Sequence, residues 1–471
     1  MEKFSDSKLW LLFEKLSKKE LRQLRNFLRS PFYTRRDDVF RLYEYLRRRR
    51  EKSSGSPSAE GAFAYTFPDA HYDGLKLRGT MSDLLELIEQ YLLSNHFEKG
   101  ALPAQFALAS IYRARGLDKH FQWAMKLLKR KVGRFPYQNA DFHNHKLAYQ
   151  TELMYYQTRS QRTVQLNLQE VSEQMDRQYL AQKLRHACTQ LSHQAVYKTE
   201  YDFGLLTPVL SKVEEMGFLD IPAIAIYYYC YRFLTEAYSL EFFQAFREQL
   251  SSYAIHFPEE ERKDLYLLAL NFCIRQLNQG SGPFAREAWE IYRIGLKEGF
   301  LLDNGNLSRF TFNNIAGIAL KLGEISWAAG FIKEYLSFIS EEFREATLSL
   351  NEARLAYARG NLGQALLLLQ NVEYEDLVTN IIARMLLIKI YYQQGETDAL
   401  GSQLASLENF VRRGSFSRFH KENYLNIARF VKRLASLPPY DDKGRKKLKR
   451  EIESTGPLSE KEWLIEQLKA R

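Results

Sequence analysis

Apolar positions recur along most of this chain at the three- and four-residue spacing of helices that bury one face. The pattern is clearest over residues 348–369, LSLNEARLAYARGNLGQALLLL. Leu348, Ala353, Leu355 and Ala356 share a face, and Gly360-Asn361 then ends the helix, since both residue types tolerate left-handed backbone. Ala365 and the apolar run 366–369 open a second helix. A small residue at Ala365 lets two antiparallel helices approach closely, so this stretch predicts a helical hairpin.

The same unit recurs from residue 101 onward. Cys188, Cys230 and Cys273 lie 42 and 43 residues apart. Similar steps lead forward to Ala316, Ala353, Ile388 and Ala428, and back to Ala148 and Ala109. Each marks the middle of a predicted first helix. Seven residues later a break is expected, at Gly116, Gly280, Gly323, Gly360 and Gly395, with Ala195, Ala237 and Ala435 in other copies and Tyr155 as the exception. Second helices are predicted over 121–131, 164–175, 205–216, 240–253, 285–296, 327–338, 365–370, 400–411 and 443–452. A lone hairpin cannot bury its apolar face, but stacked neighbours can. The expected fold is all-α: a right-handed α-solenoid of about nine antiparallel helix pairs behind an N-terminal helical domain.

Ahead of the repeats, Ser17-Lys18-Lys19-Glu20 has the form of a capping box. It separates a helix over 6–16 from one ending near Arg29, before Ser30-Pro31. A third helix, over 36–51, ends in Arg47-Arg48-Arg49-Arg50. The Ser-, Gly- and Pro-rich stretch 52–61 reads as a linker, and helix resumes over 80–97. The divisions are a basic N-terminal domain (1–52), a linker (53–67), a connecting helix (68–100), the repeats (101–440) and a charged C-terminal cap (441–471). In the cap, Pro457 and Ser459-Glu460-Lys461-Glu462 are expected to start a short helix that docks Trp463, Leu464 and Leu468 on the last repeat.

The units beginning near Arg309, Ala346 and Ile381 resemble tetratricopeptide repeats. Gly323-Glu324-Ile325-Ser326-Trp327-Ala328 and Gly360-Asn361-Leu362-Gly363-Gln364-Ala365 carry that family's turn and small-residue signature. Gly395-Glu396-Thr397-Asp398-Ala399-Leu400 departs from it, with Leu400 where a small residue is expected. The resemblance implies stacked helical hairpins; over 101–300, where the steps are longer, the repeats are tetratricopeptide-like. Residues 16–33 and 81–93 also resemble the opening of a family of functionally uncharacterised bacterial proteins with helical-repeat bodies. That implies a bacterial origin and brings no active site.

Composition narrows the function. The 471 residues exceed one ordinary core. The apolar run 221–231 is too short to cross a bilayer, no secretory signal is visible, and three cysteines without a CxxC pair fit neither a disulfide framework nor a zinc site. A cytoplasmic location is expected. The net charge of +10 sits at the ends: residues 1–52 hold 16 basic and 8 acidic residues, and residues 441–471 hold 9 and 7.

Phosphate loops, HExxH, EF-hand and GxSxG patterns are absent. His143 and His145 are the nearest approach to a metal motif, but on a helix their rings point about 200° apart, so they read as surface histidines. The cysteines, sharing one place in the repeat, read as small packing residues. No catalytic residue, cofactor or metal site is expected, and the chain is taken as non-enzymatic.

Binding is the better expectation. One and four residues past the small position, where first helices face the inside of a solenoid, stand Arg354 and Tyr357, Lys389 and Tyr392, Arg429 and Lys432. Arginine and lysine hold carboxylates by charge-assisted hydrogen bonds, so a scaffold or adaptor binding an acidic segment of a partner protein is expected. The alternative is a regulator whose basic N-terminal domain contacts nucleic acid through Arg22, Arg25, Arg29, Arg47, Arg48, Arg49 and Arg50.

Overall fold

The computed structural model describes residues 4–51, 57–97, 101–160, 165–197, 199–236, 240–279, 282–370, 376–438 and 440–470. The described residues form an all-α, repeat-like fold of packed helix pairs, with 23 α-helices and one two-stranded hairpin. They divide into two compact units, residues 1–136 with 141–176 and residues 137–140 with 177–471.

The first unit opens with α1 (Lys8–Lys15), α2 (Lys18–Leu28), α3 (Asp37–Glu51), α4 (Ala59–Thr66) and α5 (Gly74–His96). The capping box at α2 is complete: Glu20 Oε2 accepts from the Ser17 backbone N–H at 2.6 Å, and Ser17 Oγ accepts from that of Glu20 at 3.2 Å. Phe13, Leu24, Leu42, Tyr43, Phe63, Leu84 and Ile88 share one buried core. Two of the predicted divisions therefore change. Residues 59–66, expected within the linker, are helical, because Ser58 caps them and Ala62, Phe63 and Thr66 give them a buried side; residues 52–56 of that linker lie outside the described residues. The connecting helix over 68–100 is a wall of the same bundle, α5, which packs on α1, α2, α3 and α4.

The unit continues with α6 (Leu102–Ala114) and α7 (Asp118–Gly133), which turn at Gly116 with φ +70° and enclose Ala109, Phe121, Ala124 and Leu128. It then includes α8 (Ala140–Ser160) from Asp141 on, and the start of α9 (Leu168–Tyr197) up to Asp176. Here the repeat departs from expectation. Tyr155 is inside α8, and Ala148 is only partly buried. Where a second helix over 164–175 and a separate first helix were expected, α9 runs for 30 residues through Ala195. It contains neither Gly nor Pro, so nothing in its backbone preferences forces a break.

Residues 137–140 belong to the second unit because the Gln138 N–H donates to His256 O at 2.8 Å, and Asn139 Nδ2 to the buried Glu261 carboxylate at 2.9 Å. The helices of this unit follow in pairs after α9: α10 (Leu206–Glu215), α11 (Pro222–Thr235) with α12 (Leu240–Tyr253), and α13 (Glu259–Asn278) with α14 (Phe284–Glu298). Next come α15 (Arg309–Lys321) with α16 (Ile325–Tyr335), α17 (Glu341–Ala358) with α18 (Leu362–Gln370), and α19 (Leu377–Gln394) with α20 (Thr397–Arg413). Last are α21 (Arg418–Ala435), α22 (Asp442–Ser454) and α23 (Lys461–Lys469). Cys188, Cys230, Cys273, Ala316, Ala353, Ile388 and Ala428 are all completely buried. Gly323, Gly360 and Gly395 have φ between +74° and +79°, the left-handed backbone that ends the first helix of each pair. The expected breaks at Gly280 and Ala237 lie outside the described residues.

A small hairpin, β1 (Leu302–Asp303) with β2 (Asn306–Leu307), precedes α15. Its turn residues, Asn304 and Gly305, have φ of 49° and 81°, the two positive values that a tight Asn-Gly hairpin turn requires.

Candidate functional site

Four of the six residues expected on the binding face come together in the second unit, and what they meet is the chain itself. The segment leading into α23 crosses the first helices of the preceding pairs. Lys389 Nζ on α19 pairs with Glu460 Oε2 at 2.6 Å, and Lys321 Nζ on α15 with Glu462 Oε2 at 2.8 Å. Trp463 lies edge-on to Tyr392 with centroids 5.5 Å apart, and Lys389 Nζ stands 5.5 Å over its ring. The Glu462 carboxylate fills the space that a side chain at Gly282 would need.

The segment is pinned from below as well. Asn423 on α21 accepts from the Ser459 backbone N–H at 2.7 Å and donates to Ser459 Oγ at 3.1 Å; Asn426 donates to Pro457 O at 3.1 Å. The expected short helix forms and buries Trp463, Leu464 and Leu468, but Ser459 does not cap it. The serine is engaged by Asn423 instead.

Arg354 on α17 lies one pair inward of Lys389. Its Nη1 donates to Asn313 O at 2.8 Å, and its guanidinium occupies the space left by the missing side chain of Gly317. Gly317 and Arg354 hold the same place in consecutive repeats. Burial pushes the Arg354 guanidinium down to about 10, with the Glu460 charge partly offsetting it. Burial also pushes the Tyr357 hydroxyl up to about 12, partly offset by the Trp463 indole and the Gln393 amide. For Glu460, burial would raise the carboxyl, but the charge and hydrogen bond of Lys389, backed by Lys321 and Arg354, hold it below the usual carboxylate range.

Between this segment and the first helices lies a cavity of about 430 Å³, lined by Asn313, Lys321, Arg354, Lys389, His420 and Glu460 among others. Asn313 is almost fully buried. Its Oδ1 accepts from Asn351 Nδ2 at 2.6 Å, while its Nδ2 has no hydrogen-bond partner among the described residues. The remaining two expected residues lie apart from the cavity. Lys432 pairs with Glu408 at 2.6 Å, and Arg429 stands exposed with its guanidinium 4.7 Å from the Phe430 ring centre.

Sequence reasoning missed Lys321, Asn313 and Gly282. Lys321 falls outside the two offsets expected to face inward, and Gly282 is a loop residue; only their placement against Glu462 singles them out. Asn313 stands three residues before Ala316, on a face that periodicity marks as core.

In the first unit, several of the basic residues considered for nucleic acid have partners of their own. The buried Glu44 carboxylate accepts from Arg25 Nε at 2.7 Å and from Arg47 Nη2 at 3.0 Å. Burial raises this carboxyl, but the two arginine hydrogen bonds outweigh that and hold it below its ordinary value. Arg50 donates to Phe13 O at 3.1 Å, and Arg48 and Arg49 lie over Tyr65 and Tyr45. Arg29 lies over Phe40 and remains exposed, as does Arg22.

Of the two histidines expected on the surface, His143 is buried, while His145 is half-buried and packs 4.9 Å from Phe135, its pKa lowered by burial. Among the described residues no group of three His, Cys, Asp or Glu side chains is placed to hold a metal ion, and no helix is long and apolar enough to cross a membrane.

Compared with protein-family models, curated proteins and solved structures, the chain matches none.

Proposed function

We propose that this chain is a non-enzymatic scaffold or adaptor that binds an acidic segment of a partner protein along the first-helix face of its second unit. In this reading the helix pairs form a right-handed, tetratricopeptide-like solenoid of about nine units in a cytoplasmic, bacterial protein. The supporting observation is the groove itself: Lys321, Arg354 and Lys389, one from each of three successive first helices, stand around one cavity, and the residues that meet two of these cations are carboxylates. A row of cations at repeat spacing suits an extended acidic chain, because each pair offers one charge-assisted bond.

The test is capture from the native host with the unaltered chain and with an Arg354→Glu/Lys389→Glu variant. The reading expects a bound protein that is lost with the charge reversal and released by moderate salt. A partner retained by the variant with unchanged salt dependence would place binding elsewhere.

A further inference from the structure

We infer that residues 456–470 are a displaceable stand-in for the partner segment. The partner that fits then carries two carboxylates two residues apart and directly followed by an aromatic residue, as in Glu460-Lys461-Glu462-Trp463. The inference rests on the proposed role of this groove as a protein-binding face.

Each part of the motif has a dedicated receiver: Lys389 for the first carboxylate, Lys321 for the second, and Tyr392 with the Lys389 cation for the aromatic ring. Gly282 leaves free the space that the second carboxylate occupies, and a Cβ there would make it shift. The receivers come from α15, α19 and the loop before α14, so the groove reads the motif across several pairs.

The segment is also an incomplete occupant. Among the described residues no carboxylate lies within ion-pair distance of Arg354, and Asn313 Nδ2 lacks an acceptor. Both line the cavity beside Ser459 and Glu460, and the segment leaves that cavity unfilled. A tethered segment has the advantage of a high effective concentration, on the order of millimolar for short linkers. A partner in solution prevails only through bonds that the tether does not make, and we assign one of these to an acidic residue in the place of Ser459, which lines the same cavity as Arg354. A second copy of this chain brings the same segment and leaves the same two groups unmet. The occupant that gains is therefore a different protein.

The test uses the full chain with Glu460→Lys/Glu462→Lys, which repels the segment from the groove but keeps Leu458, Leu464 and Leu468 in the core. The probe is a labelled peptide of residues 456–470, followed by fluorescence anisotropy. The peptide is expected to bind this variant at least ten-fold tighter than the unaltered chain. Adding Lys321→Met/Lys389→Met, which removes the receiving cations without creating a swapped pair, should abolish that binding. A peptide carrying Ser459→Asp should bind tighter still, and lose that gain when Arg354 is replaced by Met.

Glu460→Gln/Glu462→Gln serves as a milder release if the reversal unfolds the chain, as judged by circular dichroism. Equal peptide binding by released and unaltered chains, or binding indifferent to Lys321 and Lys389, overturns the inference. A micromolar dimer that the peptide dissociates, seen by light scattering, overturns it in favour of a second copy. Peptide binding as expected, together with a native partner indifferent to Arg354→Glu/Lys389→Glu, would instead sink the proposed function. A native partner lost on that reversal, with no gain on release of the segment, would sink only this inference.

Discussion

Lys389 and Glu460 form a 2.6 Å ion pair that joins a first helix of the repeats to the segment before the last helix. Lys389 is 18% exposed and Glu460 27%, so removing one partner should cost more than breaking a surface contact and less than breaking a fully buried pair. Reversing Lys389 to Glu should speed hydrogen exchange across Lys461–Lys469, and adding Glu460→Lys should restore protection. A double-mutant cycle on that exchange is expected to give a coupling of about 1–2 kcal/mol. Additive effects would mean that the two residues are neighbours without being coupled.

Gly317 and Arg354 interlock in a second way, through volume. Gly317→Ala puts a methyl group where the guanidinium lies. Displacing that guanidinium costs up to about 1–3 kcal/mol, partly offset by the roughly 0.5–1 kcal/mol that Ala gains over Gly inside a helix, and denaturant unfolding reads the net effect. In an Arg354→Ala background the same substitution should be neutral or stabilising, because Ala is favoured over Gly inside a helix, and an equal cost in both backgrounds would show that the methyl group does not act through Arg354.

The three cysteines should behave as core. Cys188, Cys230 and Cys273 are fully buried, and Cys188 Sγ lies 3.4 Å from Tyr227 O. Burial pushes the thiols of Cys230 and Cys273 well above their ordinary value, and a thiol held protonated is a poor nucleophile. All three should resist alkylation at pH 8 and react only as the chain unfolds. Cys230→Ser should cost about 1–3 kcal/mol by burying a poorly satisfied hydroxyl, measured by thermal or denaturant unfolding.

Acid should loosen the C-terminal segment. Glu460 has a folded-state pKa below that of the unfolded chain, so its contribution is complete above the ordinary glutamate value of about 4.3 and is lost as pH falls through the lower folded value. Exchange in Lys461–Lys469, corrected for the intrinsic pH dependence of amide exchange, should be flat from pH 7 to about 5 and rise below about 4. Glu460→Gln should remove that rise. Glu44 has the same sign, so stability of the α1–α5 bundle should fall over the same acid range, read by hydrogen exchange of its helices.

The helix pairs were legible because each small residue and each left-handed glycine does local work that leaves a periodic trace. Cys188, Cys230 and Cys273 stand where Ala316 and Ala353 stand, and all are buried alike. The trace failed where local preference imposed no break. With no Gly or Pro to stop it, α9 runs through an expected turn, and Ser58 with Phe63 made helix of an expected linker.

The sequence by itself therefore determined the helical class, most helix ends and the choice of Arg354, Tyr357, Lys389 and Tyr392 as a face of interest. Only the tertiary structure decided what that face meets. Glu460, Glu462 and Trp463 reach Lys389, Lys321 and Tyr392 across several helix pairs. Contacts between residues so far apart arise from how the pairs stack. No period along the chain records them.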